Sequence, residues 1–253
     1  MTVGQTFQRY ELKYMLTKEQ YEEFLVELKK YMTLDRYGRT TIQSVYYDTP
    51  NDQIIRNSID KPKYKEKIRL RSYGLANENT TCFLEIKRKC NGLVYKRRIT
   101  CKEQDSKFFV NKNQIPGDGQ IARELRYTKS LYETLEPKML IIYERESYAR
   151  ENSEVRVTFD FNPRYRVEDI NLHTSLEGNE LLPNGEVLME IKVLHNMPLW
   201  LVHALSKCNV RRKSFSKYGT AYKIEKSKHQ NYKLERGENK LWNTYSVQYS
   251  MIH

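Results

Sequence analysis

Lys67-Ile68-Arg69-Leu70-Arg71 sets three cations at alternate positions with aliphatic side chains between them. Phe83-Leu84-Glu85-Ile86-Lys87 repeats the pattern, with Glu85 and Lys87 on one side and Leu84 and Ile86 on the other. Beyond Asn91-Gly92, Lys96 and Arg98 keep the same spacing. Arg9, Glu11 and Lys13 alternate with Tyr10, Leu12 and Tyr14. Tyr143-Glu144-Arg145, Arg156 to Asp160 and Glu190-Ile191-Lys192 carry the pattern into the second half of the chain. Period two is the signature of a strand, so each segment has one charged and one apolar face. A face that met only water would accept Ser, Thr, Gln and acids freely, whereas these faces use Arg and Lys with an occasional Glu. Guanidinium forks and compact ammonium groups suit phosphoryl oxygens. So many like charges brought together repel unless an anion lies among them. The expected architecture is α+β: a strongly curved or closed antiparallel β-barrel with a basic lumen, helices packed outside it, and a polyanion within.

The elements that must position these residues can be read in order. Phe7 to Met15 is the first strand. Thr17, with Gln20 three positions on, predicts a capped helix with Tyr21, Phe24, Leu25 and Leu28 on one face, ending near Tyr31. Thr41 to Asp48 reads as a strand ended by Pro50, and Asp52 to Asn57 as a helical turn. Asp118 is expected to cap a helix carrying Ile121, Leu125, Leu131 and Leu135 that Pro137 ends. Met139–Tyr148 and Val155–Phe161 form a hairpin about Glu151-Asn152-Ser153. Asn162 to Asn184 is irregular with one short strand, and Pro198 opens a helix to about Lys207. No linker or internal repeat divides the 253 residues, so one domain is expected, with its core over about 7–222 and a closing helix or tail over 223–253.

Seven motifs occur in a fixed order: Arg9-Tyr10-Glu11-Leu12-Lys13-Tyr14, Tyr46-Tyr47-Asp48-Thr49-Pro50, Lys67 to Arg71, Leu84-Glu85-Ile86-Lys87, Tyr143-Glu144-Arg145, Leu188-Met189-Glu190-Ile191-Lys192 and Ser214-Phe215-Ser216-Lys217-Tyr218-Gly219. In this the chain resembles the VTC domain, the polyphosphate-polymerase domain of the vacuolar transporter chaperone complex. That domain belongs to the triphosphate tunnel metalloenzymes, or CYTH-like superfamily. The resemblance runs from about Phe7 to Tyr222. It implies that Arg9, Lys13, Arg69, Arg71, Lys87, Arg98, Arg145 and Lys217 hold phosphoryl oxygens. Lys67, Lys96, Arg156 and Lys192 join them by strand parity and a looser motif match. Lys13, Arg69, Arg71, Lys87, Arg145 and Lys217 are the catalytic candidates. The resemblance also places a carboxylate ligand for Mg²⁺ or Mn²⁺ at Glu190, with Glu11 and Glu85 as secondary candidates of the same parity. Asp160 is assigned a structural part. Relatives that hydrolyse or cyclise open with Glu-x-Glu-x-Lys. Here Arg9, Glu11 and Lys13 stand instead, and the replaced carboxylate favours holding a long polyanion over activating water with two metals.

The implied reaction is transfer of the γ-phosphoryl group of ATP to a growing polyphosphate chain. A triphosphate or polyphosphate hydrolase, and a non-catalytic module that binds polyphosphate or inositol polyphosphate, are the two alternatives. Lys+Arg number 44 against 32 Asp+Glu, a net +12 that calls for an anionic partner, and 20 Tyr supply amphipathic wall material. Alternating inward cations fit an enclosed anion better than nucleic acid, which wants a basic stripe with exposed stacking aromatics. There is no P-loop and no Ser/His/Asp or Cys/His set. His173, His195, His203, His229 and His253 are scattered, and Cys82, Cys90, Cys101 and Cys208 lack zinc spacing. No apolar run approaches a membrane span or a signal core, so the cytoplasm is the expected compartment. Any coupling of synthesis to translocation would need an unidentified membrane partner.

Overall fold

A computed structural model describes residues 10–60, 62–91, 93–105, 115, 117–150 and 154–235. Arg9, the start of the first strand, the turn at 151–153, most of the 105–118 loop and the tail from 236 lie outside the described residues. The strands are β1 Tyr10–Leu16, β2 Thr33–Leu34, β3 Thr40–Asp48, β4 Tyr64–Tyr73, β5 Thr81–Cys90, β6 Leu93–Lys102, β7 Glu136–Ala149, β8 Val155–Arg166, β9 Asn179–Glu180 and β10 Val187–Val193. The helices are α1 Lys18–Leu28, α2 Gln53–Ile59, α3 Gln120–Tyr132, α4 Leu199–Lys207 and α5 Lys217–Glu235.

All ten strands belong to one antiparallel sheet, whose main path runs β1-β10-β8-β7-β3-β4-β5-β6. Flat, the six steps from β1 to β5 would span about 29 Å at ~4.8 Å per strand. Yet Lys87 Nζ on β5 lies 2.8 Å from Glu11 Oε2 on β1. The sheet is therefore curled until its two ends face one another across a lumen. No backbone ladder joins β1 to β6 among the described residues, so the sheet is strongly curled but not closed.

The convex face carries the aliphatic half of each strand pattern. Tyr14, Leu16, Val157, Phe159 and Ile191 pack with Phe24 and Leu28 of α1 and with Leu201 and Leu205 of α4. Val45, Ile68, Leu70, Leu84, Ile86, Leu140 and Ile142 pack with Ala122 and Leu125 of α3. Each fully buried Leu, Ile or Phe here contributes roughly 1.5–3 kcal/mol. The capping box at Thr17 forms as its sequence predicts: Gln20 N–H donates to Thr17 Oγ1, and Thr17 N–H donates to Gln20 Oε1. α1 ends at Leu28, three residues short of the expected Tyr31.

The third helix departs further from expectation. Its N-cap is Gly119, in extended backbone, while the Asp118 carboxylate faces solvent and lies 3.6 Å from Arg126. It ends at Tyr132 because Glu133 adopts a positive φ of 55°. Leu135 is buried beyond the helix, and Pro137 lies inside β7, where the register to β3 shifts beside Tyr47. A bulge tolerates the missing N–H. β8 also runs on to Arg166, through residues expected to be irregular.

Two helices occupy the concave side, which the apolar periodicity did not signal. Tyr218 of α5 stacks on Tyr46 of β3 (4.5 Å between centroids), and Ile55 of α2 joins Ile42, Met139, Ile141 and Tyr143 in the same cluster. This apolar plug fills one part of the concave face and leaves the rest to the cations.

Candidate active site

Register places the cations side by side. On β4 and β5, Arg69 is opposite Glu85 and Lys67 is opposite Lys87; on β6, Lys96 is opposite Lys87 and Arg98 opposite Glu85. Glu85 is 1% exposed and organises its surroundings. Arg69 Nε and Nη2 both lie 2.7 Å from its Oε2, Lys96 Nζ lies 2.7 Å from its Oε1, and Arg71 Nη1 is 4.0 Å away. Burial alone would raise the Glu85 carboxyl, but Arg69, Arg71 and Lys96 hold it down at about 2. The guanidinium groups are fixed from β3 and β7 as well. Arg69 Nη1 donates to Tyr46 OH (3.0 Å), and Arg71 donates to Ser44 Oγ and Tyr143 OH (3.2 Å each).

A second carboxylate faces the same lumen from the far end of the sheet. Glu190 on β10 lies 3.0 Å from Lys192 Nζ and 3.8 Å from Lys13 Nζ. Burial opposes its charge, yet Lys192, Lys13 and Arg145 keep its carboxyl at about 2. Arg145 grips Asp160 through two bonds, Nε to Oδ1 at 2.5 Å and Nη2 to Oδ2 at 2.8 Å, and Lys217 pairs with the same carboxylate. Lys217 Nζ also sits 4.3 Å from the centre of the Tyr143 ring. Burial drives the ammonium groups of Lys67 and Lys96 down to about 8 and lowers that of Lys13. In all three the neighbouring cations add to the effect. These are charges held close together at an electrostatic cost.

The motifs at Tyr46 and Ser214 meet here. Asp48 accepts hydrogen bonds from the N–H groups of Thr49, Ile54 and Ile55, each at 2.8 Å, and one from Tyr218 OH at 3.1 Å. That carboxylate caps α2 and anchors the start of α5. Phe215 and Ser216, just ahead of α5, then close on the cations. Lys13 Nζ donates to Phe215 O (3.1 Å) and Lys67 Nζ donates to Ser216 Oγ (2.8 Å).

Lys13, Lys67, Arg69, Arg71, Lys87, Lys96, Arg145, Lys192 and Lys217 thus border one concave space. Arg98 shares the face but lies over the Phe83 ring at 4.8 Å. Arg156 has the parity but is exposed and reaches Asp35 at 3.3 Å. Arg9 lies outside the described residues. Sequence reasoning missed Tyr46, Ser44 and Tyr143 as partners of the cations, although their strand parity was available as a signal; Ser216, in the loop before α5, had no parity to read.

Residues 8–226 match the model of the VTC domain family. The chain belongs to the VTC domain family. Among solved structures, a candidate adenylate cyclase from Bacillus halodurans is similar at 14% identity, with 81% of this chain and 92% of that chain covered and a TM-score of 0.53. A candidate adenylate cyclase from Vibrio parahaemolyticus follows at 13% identity, with 85% and 98% covered and a TM-score of 0.46. At such identities the likeness is one of fold, and it is the first of these that carries it. A search of the curated proteins finds no match to the chain. The concave cations of this VTC domain lie on the inner face of its curled sheet.

For a divalent cation the donor set is sparse. No group of three His, Cys, Asp or Glu comes together among the described residues. Glu190 and Glu11 are diagonal neighbours on β10 and β1, since Lys13 is opposite Glu190 and Glu11 is opposite Lys192. Diagonal positions stand about 7–8 Å apart at Cα, within joint reach of one ligand. One or two carboxylates with the remaining positions filled by phosphate oxygen and water is how Mg²⁺ is commonly held, so this pair fits an ion that arrives with its phosphates. Glu85 has Arg69 on one oxygen and Lys96 on the other.

Proposed function

We propose that this VTC domain is a polyphosphate polymerase that transfers the γ-phosphoryl group of ATP to the end of an inorganic polyphosphate chain lying in the tunnel. The observation that carries the reading is the charge imbalance of the concave face. Lys13, Lys67, Arg69, Arg71, Lys87, Lys96, Arg98, Arg145, Lys192 and Lys217 stand against Glu11, Glu85, Asp160 and Glu190, ten cations against four acids among these residues, with Arg156 left to Asp35. That surplus exceeds the roughly four negative charges of a single nucleoside triphosphate, given one to two per phosphoryl group. It matches a longer run of phosphates.

In this reading Arg69 and Arg71, held by Tyr46, Ser44, Tyr143 and Glu85, are preorganised to orient the donor phosphates. Lys13, Lys87 and Lys67 neutralise the acceptor chain alongside. Phosphoryl transfer needs alignment and neutralisation more than covalent help. Glu190, with Glu11, would hold Mn²⁺ or Mg²⁺, which supplies charge stabilisation on the transferring and leaving phosphates. No described helix is long and apolar enough to cross a membrane.

The test is incubation of the purified protein with ATP and Mn²⁺, with products resolved on a gel. A ladder of growing polyphosphate is expected. Orthophosphate without a ladder would make the tunnel a hydrolase, and unchanged ATP with retained polyphosphate affinity would make it a binding module.

A further inference from the structure

The cationic lining does not stop at the edge of the sheet. After α4 the chain returns along the free side of β1: Arg212 forms an antiparallel bridge with Tyr14, and Lys213 N–H donates to Lys13 O at 2.9 Å. This pairing makes residues 211–213 a short strap continuing the sheet past β1. A bridge between Tyr14 and Arg212 sets Lys213 opposite Lys13 and Arg211 opposite Met15. Strand alternation then assigns the three side chains to faces. Arg212 shares the convex parity of Tyr14, which is buried among the apolar residues there. Lys213 and Arg211 share the concave parity of Lys13 and Met15. One contact supports the assignment directly: Lys213 Nζ lies 3.3 Å from Met15 Sδ.

The strap is tied to the tunnel at its other end. Immediately after Lys213, Phe215 O and Ser216 Oγ accept from Lys13 and Lys67, and Lys217 pairs with Asp160. Arg211 and Lys213 therefore stand in line with Lys13 on a backbone fixed at both ends. Both are exposed. Among the described residues no carboxylate lies within ion-pair distance of Arg211, Arg212 or Lys213, in contrast to Lys13, Arg69, Lys87, Lys96 and Arg145.

We infer that Arg211 and Lys213 form an outer subsite that binds the segment of a phosphate chain emerging from the tunnel beside Lys13. The inference rests on the polyphosphate reading above and adds a chain-length dependence to it. A chain short enough to lie among Arg69, Arg71 and Lys13 does not reach the strap. A long one does, and it gains two further phosphate contacts.

The experiment measures binding of tripolyphosphate and of long-chain polyphosphate at several salt concentrations, to the unmodified protein, to the pair Arg211→Gln with Lys213→Gln, and to Arg212→Gln. For the pair, affinity for the long chain should fall about tenfold, and the dependence of log affinity on log salt should flatten by about one for each cation removed. Tripolyphosphate affinity should fall less than twofold. Arg212→Gln, of opposite parity, should leave both ligands unaffected. All three positions are exposed, and unchanged melting temperatures would show that the variants fold. Equal losses for the two ligands, or a loss in Arg212→Gln as large as in the pair, would reduce the strap to a general basic field and overturn the inference. So would a pair that binds the long chain as tightly as the unmodified protein. If the unmodified protein binds neither ligand, it is the polyphosphate reading itself that fails.

Discussion

Lys87 and Arg88 are neighbours on one strand, yet they belong to different kinds of site. Arg88 points to the convex side. There it lies 3.1 Å from Glu66 and 3.3 Å from Glu124, and it donates to Thr128 Oγ1 at 2.6 Å. Tyr132 OH closes the group with a hydrogen bond to Glu66 Oε1. Every charge there has a partner, and the network fastens α3 to the sheet. Lys87 points into the lumen, where Glu11 is its one acidic partner among the described residues and Lys96 and Lys67 are opposite it on either side. Matched charge holds structure together, whereas surplus charge is a demand for a ligand. The two faces of a single hairpin therefore make different predictions under mutation.

The largest effect should come from the matched side. Glu66 is 3% exposed, and Glu66→Ala would leave Arg88 half-buried with only Glu124. Breaking a buried pair by removing one partner costs about 3–5 kcal/mol. Denaturant unfolding should show a loss of that order, while the folded fraction keeps its polyphosphate affinity. A variant of unchanged stability would mean that the convex network is merely solvated, and the contrast between the faces would collapse.

On the surplus side the carboxylate and the cations should separate. Glu190→Gln keeps the size but removes a negative ligand, so turnover with ATP and Mn²⁺ should drop about a hundredfold or more. Polyphosphate binding without metal should hold or tighten, because an anion has left the lumen. Turnover at the unmodified rate would reduce Glu190 to a counter-ion for Lys13 and Lys192. Arg71→Ala should weaken binding and turnover together, by about tenfold in affinity, with a salt dependence flatter by about one. Retained affinity in that variant would show that Arg71 serves only Ser44, Tyr143 and Glu85.

Much of this contrast was legible in the sequence, because strand alternation separates faces without knowledge of the fold. The parity that put Arg69, Arg71 and Lys87 on one side and Leu70, Leu84 and Ile86 on the other is the parity of the structure. What period two cannot express is which cations meet which acids. Glu85 gathers Arg69, Arg71 and Lys96 only because β4, β5 and β6 are neighbours in one register. The end of α3 was misplaced for a similar reason, since a register shift in β7, unmarked in the sequence, accommodates Pro137. The concave position of α5 was hidden because Tyr218 reads as ordinary amphipathic sequence until Asp48, 170 residues away, accepts its hydroxyl. Arg156 shows the opposite failure, with correct parity but a partner, Asp35, on a connection that alternation does not describe.

The smallest effect, and the one that bears on the surplus itself, is in pH. Lys67 and Lys96 are lowered from 10.5 to about 8, chiefly by burial. Tyr46 is lowered from 10.0 to about 7, where Arg69, Lys67 and Arg71 outweigh burial, which acts in the other direction. In all three the folded value lies below the unfolded one. The unfolded chain therefore binds more protons from about pH 7 upward, and stability of the ligand-free protein should rise with pH. The rise should slow near pH 9, where the thiols of Cys82 and Cys101, pushed up from 9.0 by burial, begin to ionise in the unfolded chain alone. Polyphosphate affinity should move the other way over the same interval. Each ammonium that loses its proton removes an attraction, and a Tyr46 anion adds a repulsion, so a few-fold loss per pH unit is expected, with about tenfold as the limit per proton taken up. Melting temperature without ligand and affinity for polyphosphate, both followed from pH 7 to 8.5, should have slopes of opposite sign. Slopes of the same sign would mean that the lumen's charges are already compensated within the protein, and the distinction between the concave and convex faces of β4 and β5 would then rest on geometry alone.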